Sequence, residues 1–194
     1  MVGTTCVCRS GVGTTDAGDM RIGTGYDSHR FREGRQLVLG GVRIPDHAGL
    51  SGHSDGDAIA HAIIDALLGA AAAGNVGSHF PPDDEEWKDV NSMDLLARVA
   101  QILDAHDYRV VNVDVTVICE SPSIGPHSEA MRLRLGEVMR ISSTQISIKG
   151  KSNEGMGWIG AGEGIAVHAV ALIESQGGDP VERGGGGSGG AWPL

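Results

Sequence analysis

Residues 54–74 read SDGDAIAHAIIDALLGAAAAG. This stretch decides the fold class. Apolar side chains recur at helical spacing from Asp55 to Ala73, with Ser54 as an expected N-cap and Gly74 as an expected stop. At about 100° per residue, Ile59, Ile63, Ala66 and Ala70 share one side of the helix. Asp57, His61 and Asp65 fall on the opposite side, each about one turn from the next. The flanks read as strands. Arg21 to His29 alternates, Leu37–Leu39 and Val42–Ile44 form short extended pieces around Gly40-Gly41, and Val recurs at 111, 113, 115 and 117 with the period of two that a strand requires. Gln145–Lys149 and Gly164–Ile173 read as further strands, and Ser92–His106 and Glu129–Met139 as helices. Interleaved strands and helices predict an α+β fold: a mixed four-stranded sheet with helices packed on one face, in a single domain.

The 194 residues, 40% of them apolar, are enough for one core. The expected domain spans 21–175. Residues 1–20 read as a Gly- and Thr-rich disordered tail, and 176–194 as a flexible Gly-rich tail. A net charge of −10 disfavours nucleic acid and anionic membranes as partners. It also means that a phosphorylated ligand would need cations or clustered donors. Cys6, Cys8 and Cys119 form no disulfide framework in a chain of this length. Neither a signal peptide nor a membrane-length apolar run is present in the sequence, so a cytoplasmic setting is expected.

Chemistry concentrates in three places. On a strand, Asp27 and His29 project from the same face and can converge on one ion. The Asp57/His61/Asp65 row, taken alone, reads as a solvated polar face. Joined to the first pair, His61 supplies a third ligand, giving the three-ligand pattern of catalytic zinc. In that reading Asp57 or Asp65 orients His61 from behind. His53 and Ser54 lie just before the helix, where backbone N–H groups favour anions. The third place is Lys149–Gly157, a glycine-rich turn. It holds Lys149 and Lys151, two of the chain's three lysines, together with Ser152, Asn153 and Glu154. It could hold a diphosphate, with Glu154 accepting magnesium.

Taken together, Gly25–His29, Leu39–Pro45, His53–Asp57 through His61 to Asp65–Ala70, Asn112–Thr116 and Gly162–Ala166 resemble the 2-C-methyl-D-erythritol 2,4-cyclodiphosphate synthase family, in register from Arg21 to about Glu174. The resemblance implies a homotrimer with active sites between subunits. It implies Zn2+ on Asp27, His29 and His61, and Mg2+ or Mn2+ on Glu154 and the substrate diphosphate. It implies transition-state stabilisation by His53 and Ser152. Asn75, Val76, Gly77, Phe80 and Asp84 would line the methylerythritol side. Cys119, Ser123, Ile124 and Gly125 belong to the implied cytosine loop, and Ser54, Lys151, Asn153 and Trp158 to the remaining substrate contacts. The chain departs from the family's commoner pattern at Asn75 and Pro82 (usually Asp), Ser123 (Lys), Ala161 (Arg) and Lys151 (Thr), so positive charge is relocated rather than kept in place.

The implied reaction is closure of a cyclic diphosphate with release of CMP. A phosphate nucleophile needs no general base, so positioning and charge neutralisation carry the catalysis. A zinc hydrolase would instead incorporate solvent oxygen, and a non-catalytic zinc module would supply a fourth protein ligand. The length leaves no room for a fused cytidylyltransferase domain, so a single activity is expected.

Overall fold

A computed structural model describes residues 19–52, 54–81, 84, 87 and 90–176. Of the expected tails, residues 1–18 and 177–194 lie outside the described residues, as do Cys6, Cys8, His53 and Pro82, whereas Met20, expected in the N-terminal tail, already opens the first strand. The elements in chain order are β1 (Met20–Arg32), β2 (Leu37–Leu39), β3 (Val42–Ile44), β4 (Gly49–Leu50), α1 (Ala58–Ala70), α2 (Val76–His79), α3 (Ser92–Ala105), β5 (Tyr108–Ile118), α4 (Ser128–Met139), β6 (Ile146–Lys151), α5 (Gly157–Gly160) and β7 (Gly164–Ser175).

The main sheet has five strands in the order β4-β1-β7-β5-β6, and β2 and β3 form a separate hairpin. The expectation of four strands therefore falls one short. The two-residue β4, which pairs Leu50 with Phe31 and Gly49 with Arg32, is too brief to carry a sequence period. The sheet is mixed: β5 and β6 run parallel, whereas β7 is antiparallel to both β1 and β5. An irregularity between Val110 and Asn112 shifts the phase of β5. Val110 is consequently buried with Val113, Val115 and Val117, while Val111 is only partly covered. A bulge of this kind turns successive side chains to the other face.

Helix α1 is shorter than the apolar pattern suggests. Gly56 adopts φ +76° and Ala72 φ +58°, so the helical backbone cannot extend to either position, and Asp57 rather than Ser54 is the N-cap. The helix is buried on nearly every side, from Ala58 to Ala70. Its less covered stripe is the row His61, Asp65 and Gly69. It lies across β1 and β7 at very close range. A Cβ on Gly25 would sit 1.9 Å from the Ala62 carbonyl oxygen, and one on Gly23 2.1 Å from that of Ala66. Only glycine permits this approach. Residues 23, 25, 27 and 29 share one face of β1, so the strand that seats the helix on two glycines presents Asp27 and His29 further along the same face. Helix α3 packs on α1, and α4 on α3 and β6. The opposite face of the sheet exposes Ile22, Tyr26 and Val170.

Gly25→Ala forces a backbone-to-backbone collision that no rotamer can relieve. Urea unfolding should show a loss of about 2–4 kcal/mol. An unchanged midpoint would contradict this helix seat.

Candidate metal centre and phosphate loop

Asp27 and His29 on β1 and His61 on α1 bring one ligand atom each to within 4.8 Å of one another. Asp27 Oδ2 stands 3.1 Å from His61 Nδ1 and 2.9 Å from His29 Nε2. The second contact is close but not aligned as a hydrogen bond, and His29 Nε2 is a buried nitrogen without a hydrogen-bond partner. Burial works to raise the Asp27 carboxyl, but its contacts with His29 and His61, and their charges, outweigh burial and hold it well below the usual carboxylate range. Burial works to lower His61, but the hydrogen bond and charge of Asp27, followed by the charges of Asp57 and Asp55, lift it above the ordinary imidazole value. The carboxylate is ionised and the imidazole still favours a cation. A donor set of one carboxylate and two imidazoles, with one nitrogen left unpartnered, fits a divalent metal ion.

The expected helpers of His61 are elsewhere. Asp57 is fully buried and accepts from Gly40 N (2.8 Å), Gly41 N (2.6 Å), Ile59 N and Ala60 N (both 3.1 Å). Burial pushes its carboxyl up to about 6 against the pull of those N–H groups. Asp57 therefore caps α1 and ties down the Gly40-Gly41 turn; it does not orient His61. It also occupies the N–H groups at the start of α1 that an anion would have used. Asp65 accepts from Val76 N at 2.7 Å and so fixes the segment after α1. What faces His61 Nε2 is Ser92 Oγ at 3.0 Å and Ser54 Oγ at 3.2 Å. Ser92 is buried as the first residue of α3, where a serine ordinarily reads as part of a helix start.

The phosphate-loop residues gather at the end of β6. Ser152 Oγ donates to Glu154 Oε1 at 2.5 Å, and Glu154 adopts φ +51°. Glu120, not singled out in the sequence, accepts from Asn153 N at 2.9 Å and Gly155 N at 3.2 Å. Lys151 is exposed at the strand end, and its carbonyl accepts from Cys119 N at 3.0 Å. Cys119 is buried, and burial, followed by the charge of Glu120, pushes its thiol up to about 11. Ile124 is buried against Gly150, whose missing Cβ would lie 3.0 Å from it, with Ser123 and Gly125 on either side.

The other expected contacts are dispersed. Asn75 caps α2 by accepting from Ser78 N at 3.0 Å, with Val76 and Gly77 following in that helix. Phe80 is buried edge-on to Trp87 at 5.0 Å and lines a cleft with Arg98 and Ile102. Asp84 N–H donates to Pro81 O at 3.1 Å. Trp158 lines a different cleft, beside Ser28, His29 and Arg30. Arg35, also unforeseen, donates to Gly52 O at 2.7 Å and contacts Ser54 O, the carbonyls on either side of position 53. Among the described residues, no hydrogen bond or ion pair joins the metal triad to the Ser152–Glu154 loop.

Because Asp57 is structural, Asp57→Asn should set an amide donor against a backbone N–H. We expect a loss of about 1–3 kcal/mol in unfolding free energy, with metal affinity of the folded protein unchanged. Weakened metal binding at full stability would restore Asp57 as a partner of His61.

The YgbB family profile matches residues 20–174. The 2-C-methyl-D-erythritol 2,4-cyclodiphosphate synthase of Syntrophomonas wolfei is 54% identical over 155 residues, covering 80% of this chain and 99% of its own. The synthase of the same name from Symbiobacterium thermophilum is 55% identical over 154 residues, covering 79% and 98%. Among solved structures, the Plasmodium falciparum IspF–CDP complex superposes with a TM-score of 0.73 at 34% identity, covering 82% of this chain and 99% of that one. The sequence match spans the whole sheet and both elements of the triad, and the fold agrees with it. On these grounds the chain belongs to the YgbB family.

Proposed function

We propose that the chain converts 4-diphosphocytidyl-2-C-methyl-D-erythritol 2-phosphate to 2-C-methyl-D-erythritol 2,4-cyclodiphosphate and CMP, a step of the non-mevalonate route to isoprenoids. The observation that carries this is the Asp27/His29/His61 cluster, set in a chain that matches synthases of that name over nearly their full length. In the reaction, an oxygen of the 2-phosphate forms a bond to the β-phosphorus. The bond from that phosphorus to the bridging oxygen breaks, and the electron pair leaves with CMP. The nucleophile is already anionic near neutral pH, so no residue need act as base.

The triad is read as a zinc site, and Glu154 as the holder of magnesium or manganese beside the diphosphate. Bound there, the two cations would neutralise phosphate charge and fix the reacting groups. The protein supplies the rest. Ser152, whose hydroxyl is held by Glu154, and His53 are assigned as donors to the developing phosphate charge. Lys151 and Asn153 extend the diphosphate loop, and Ser54, whose Oγ stands 3.2 Å from His61 Nε2, is assigned to the substrate on the metal side. Cys119, Ser123, Ile124 and Gly125 are assigned to the cytosine. Asn75, Val76, Gly77, Phe80 and Asp84 are assigned to the methylerythritol, with Trp158 beside the metal cleft.

We read the assembly as a homotrimer with shared sites. Two features support it. The exposed Ile22, Tyr26 and Val170 on the uncovered sheet face want a partner surface, and among the described residues no hydrogen bond or ion pair joins the triad to the Ser152–Glu154 loop. Sedimentation equilibrium should give about three chain masses at micromolar concentration. A fully active monomer would contradict a shared site.

The purified, metal-loaded protein should release CMP and form the cyclic product without incorporating 18O from labelled water. A labelled, ring-opened product would mean hydrolysis instead. His61→Ala should lose zinc and activity while remaining folded; full zinc occupancy in that variant would remove His61 from the site. A ligand nitrogen must shed its proton to bind metal, and His61 is lifted above its ordinary value. Competition from protons should therefore begin above the usual imidazole range, with zinc affinity falling by about tenfold per pH unit below the raised value. Affinity flat from pH 8 down to about 6 would contradict this.

A further inference from the structure

The outer nitrogen of His61 leads into a chain of groups that the reaction itself does not use. Ser92 Oγ stands 3.0 Å from His61 Nε2 and 2.5 Å from Asp55 Oδ1. The Ser92 backbone N–H donates to the other Asp55 oxygen at 3.1 Å, and Asp57 N–H donates to Oδ1 at 3.2 Å. Ser92 has no solvent exposure. Asp55 thus receives N–H groups from the starts of two helices, α1 and α3, and both ends place partial positive charge on it.

Proton counting fixes the direction of the chain. An ionised carboxylate can only accept, and a serine hydroxyl has one proton to give. The short Ser92–Asp55 contact uses that proton, so Ser92 Oγ can meet His61 only as an acceptor. Nε2 must then carry a proton, so Nδ1, the nitrogen that hydrogen-bonds Asp27 Oδ2 at 3.1 Å without a metal, is the one that loses its proton and turns its lone pair to a cation. Ser54 Oγ is farther from Nε2, at 3.2 Å, and accepts the Gly56 N–H. Its own proton can rotate to suit either tautomer, so it does not choose between them.

We infer that Asp55 and Ser92 are positioning residues which, through a carboxylate–hydroxyl–imidazole chain, hold His61 in the Nε2–H tautomer and present Nδ1 to the cation shared with Asp27 and His29. This rests on the reading of the triad as a zinc site. The arrangement differs from a carboxylate set directly on the imidazole. The serine lets the anion stay with the two helix starts while its influence still reaches the ligand. It also couples packing to metal binding, because the α1–α3 junction is the same group of atoms that orients His61.

The test titrates metal-free full-length protein with Zn2+ against a competing chelator, for wild type, Ser92→Ala, Ser92→Thr, Asp55→Asn and His61→Ala. Ser92→Ala and Asp55→Asn should each weaken zinc binding by about 10–100-fold, and Ser92→Thr, which keeps the hydroxyl, should stay within about threefold of wild type. Long-range 1H–15N spectra of the zinc-loaded wild type should show His61 protonated at Nε2. Wild-type affinity in both Ser92→Ala and Asp55→Asn would overturn the proposal while leaving the triad intact. A loss in Ser92→Thr as large as in Ser92→Ala would make the effect one of packing and would also overturn it. Should Ser92→Ala fail to fold, Asp55→Asn and the tautomer decide, and His61 protonated at Nδ1 refutes the chain. Wild-type affinity in His61→Ala is a separate failure: it removes the zinc reading itself, and this proposal with it.

Discussion

One buried carboxylate holds the working end of the molecule together. Asp57 has no solvent exposure and accepts four backbone N–H groups, two from the Gly40-Gly41 turn and two from the first turn of α1. Those of Gly40, Ile59 and Ala60 would otherwise be buried donors without a partner, at a cost of about 1–3 kcal/mol each. Both glycines of the turn adopt positive φ, which leaves their N–H groups free to converge on one side chain. The β2–β3 hairpin and the start of α1 are therefore fixed relative to each other by one residue, and His61 lies one turn further along the same helix.

The second constraint is the seat of α1 on β1. Glycines at 23 and 25 let the helix backbone approach the strand until a methyl group could not be inserted. That closeness makes a short-reach metal centre feasible. Asp and His side chains span only a few ångströms, so the strand and helix that bear them have to be near neighbours. In this protein a packing detail in the core sets a distance in the site, and the small-residue composition of α1 and β1 serves both.

Much of this was legible in the sequence, for physical reasons. The strand and helix periods located the main elements, and alternation on β1 placed Asp27 and His29 on one face. Other features were hidden. The helix-facing row Asp57, His61, Asp65 looked uniform, yet its members do different jobs: Asp57 caps a helix, Asp65 takes the Val76 N–H, and only His61 turns to β1. Helical spacing reports which side a residue occupies, not which donor reaches it first. Ser92 and Glu120 were invisible because their partners are distant in sequence: His61 and Asp55 for the first, Asn153 and Gly155 for the second. The strand β4 and the phase shift in β5 were missed because both depend on pairing with another strand.

The pairing of β1 with β7 has a consequence for synthesis on the ribosome. Asp27 lies opposite Val167 and His29 opposite Ile165, so the strand that carries two triad residues gains its long neighbour only when nearly the whole domain has been translated. Until then, among the described residues, the brief β4 is its only strand partner, and α1 covers one face. Such non-local pairing delays folding, since loop closure must precede the contacts that reward it. The nascent chain therefore emerges with its N-terminal strand bearing one free edge and an aspartate–histidine pair that has no fixed geometry. The strand pairing that fixes the candidate triad is completed late in the life of the chain, with the arrival of β7.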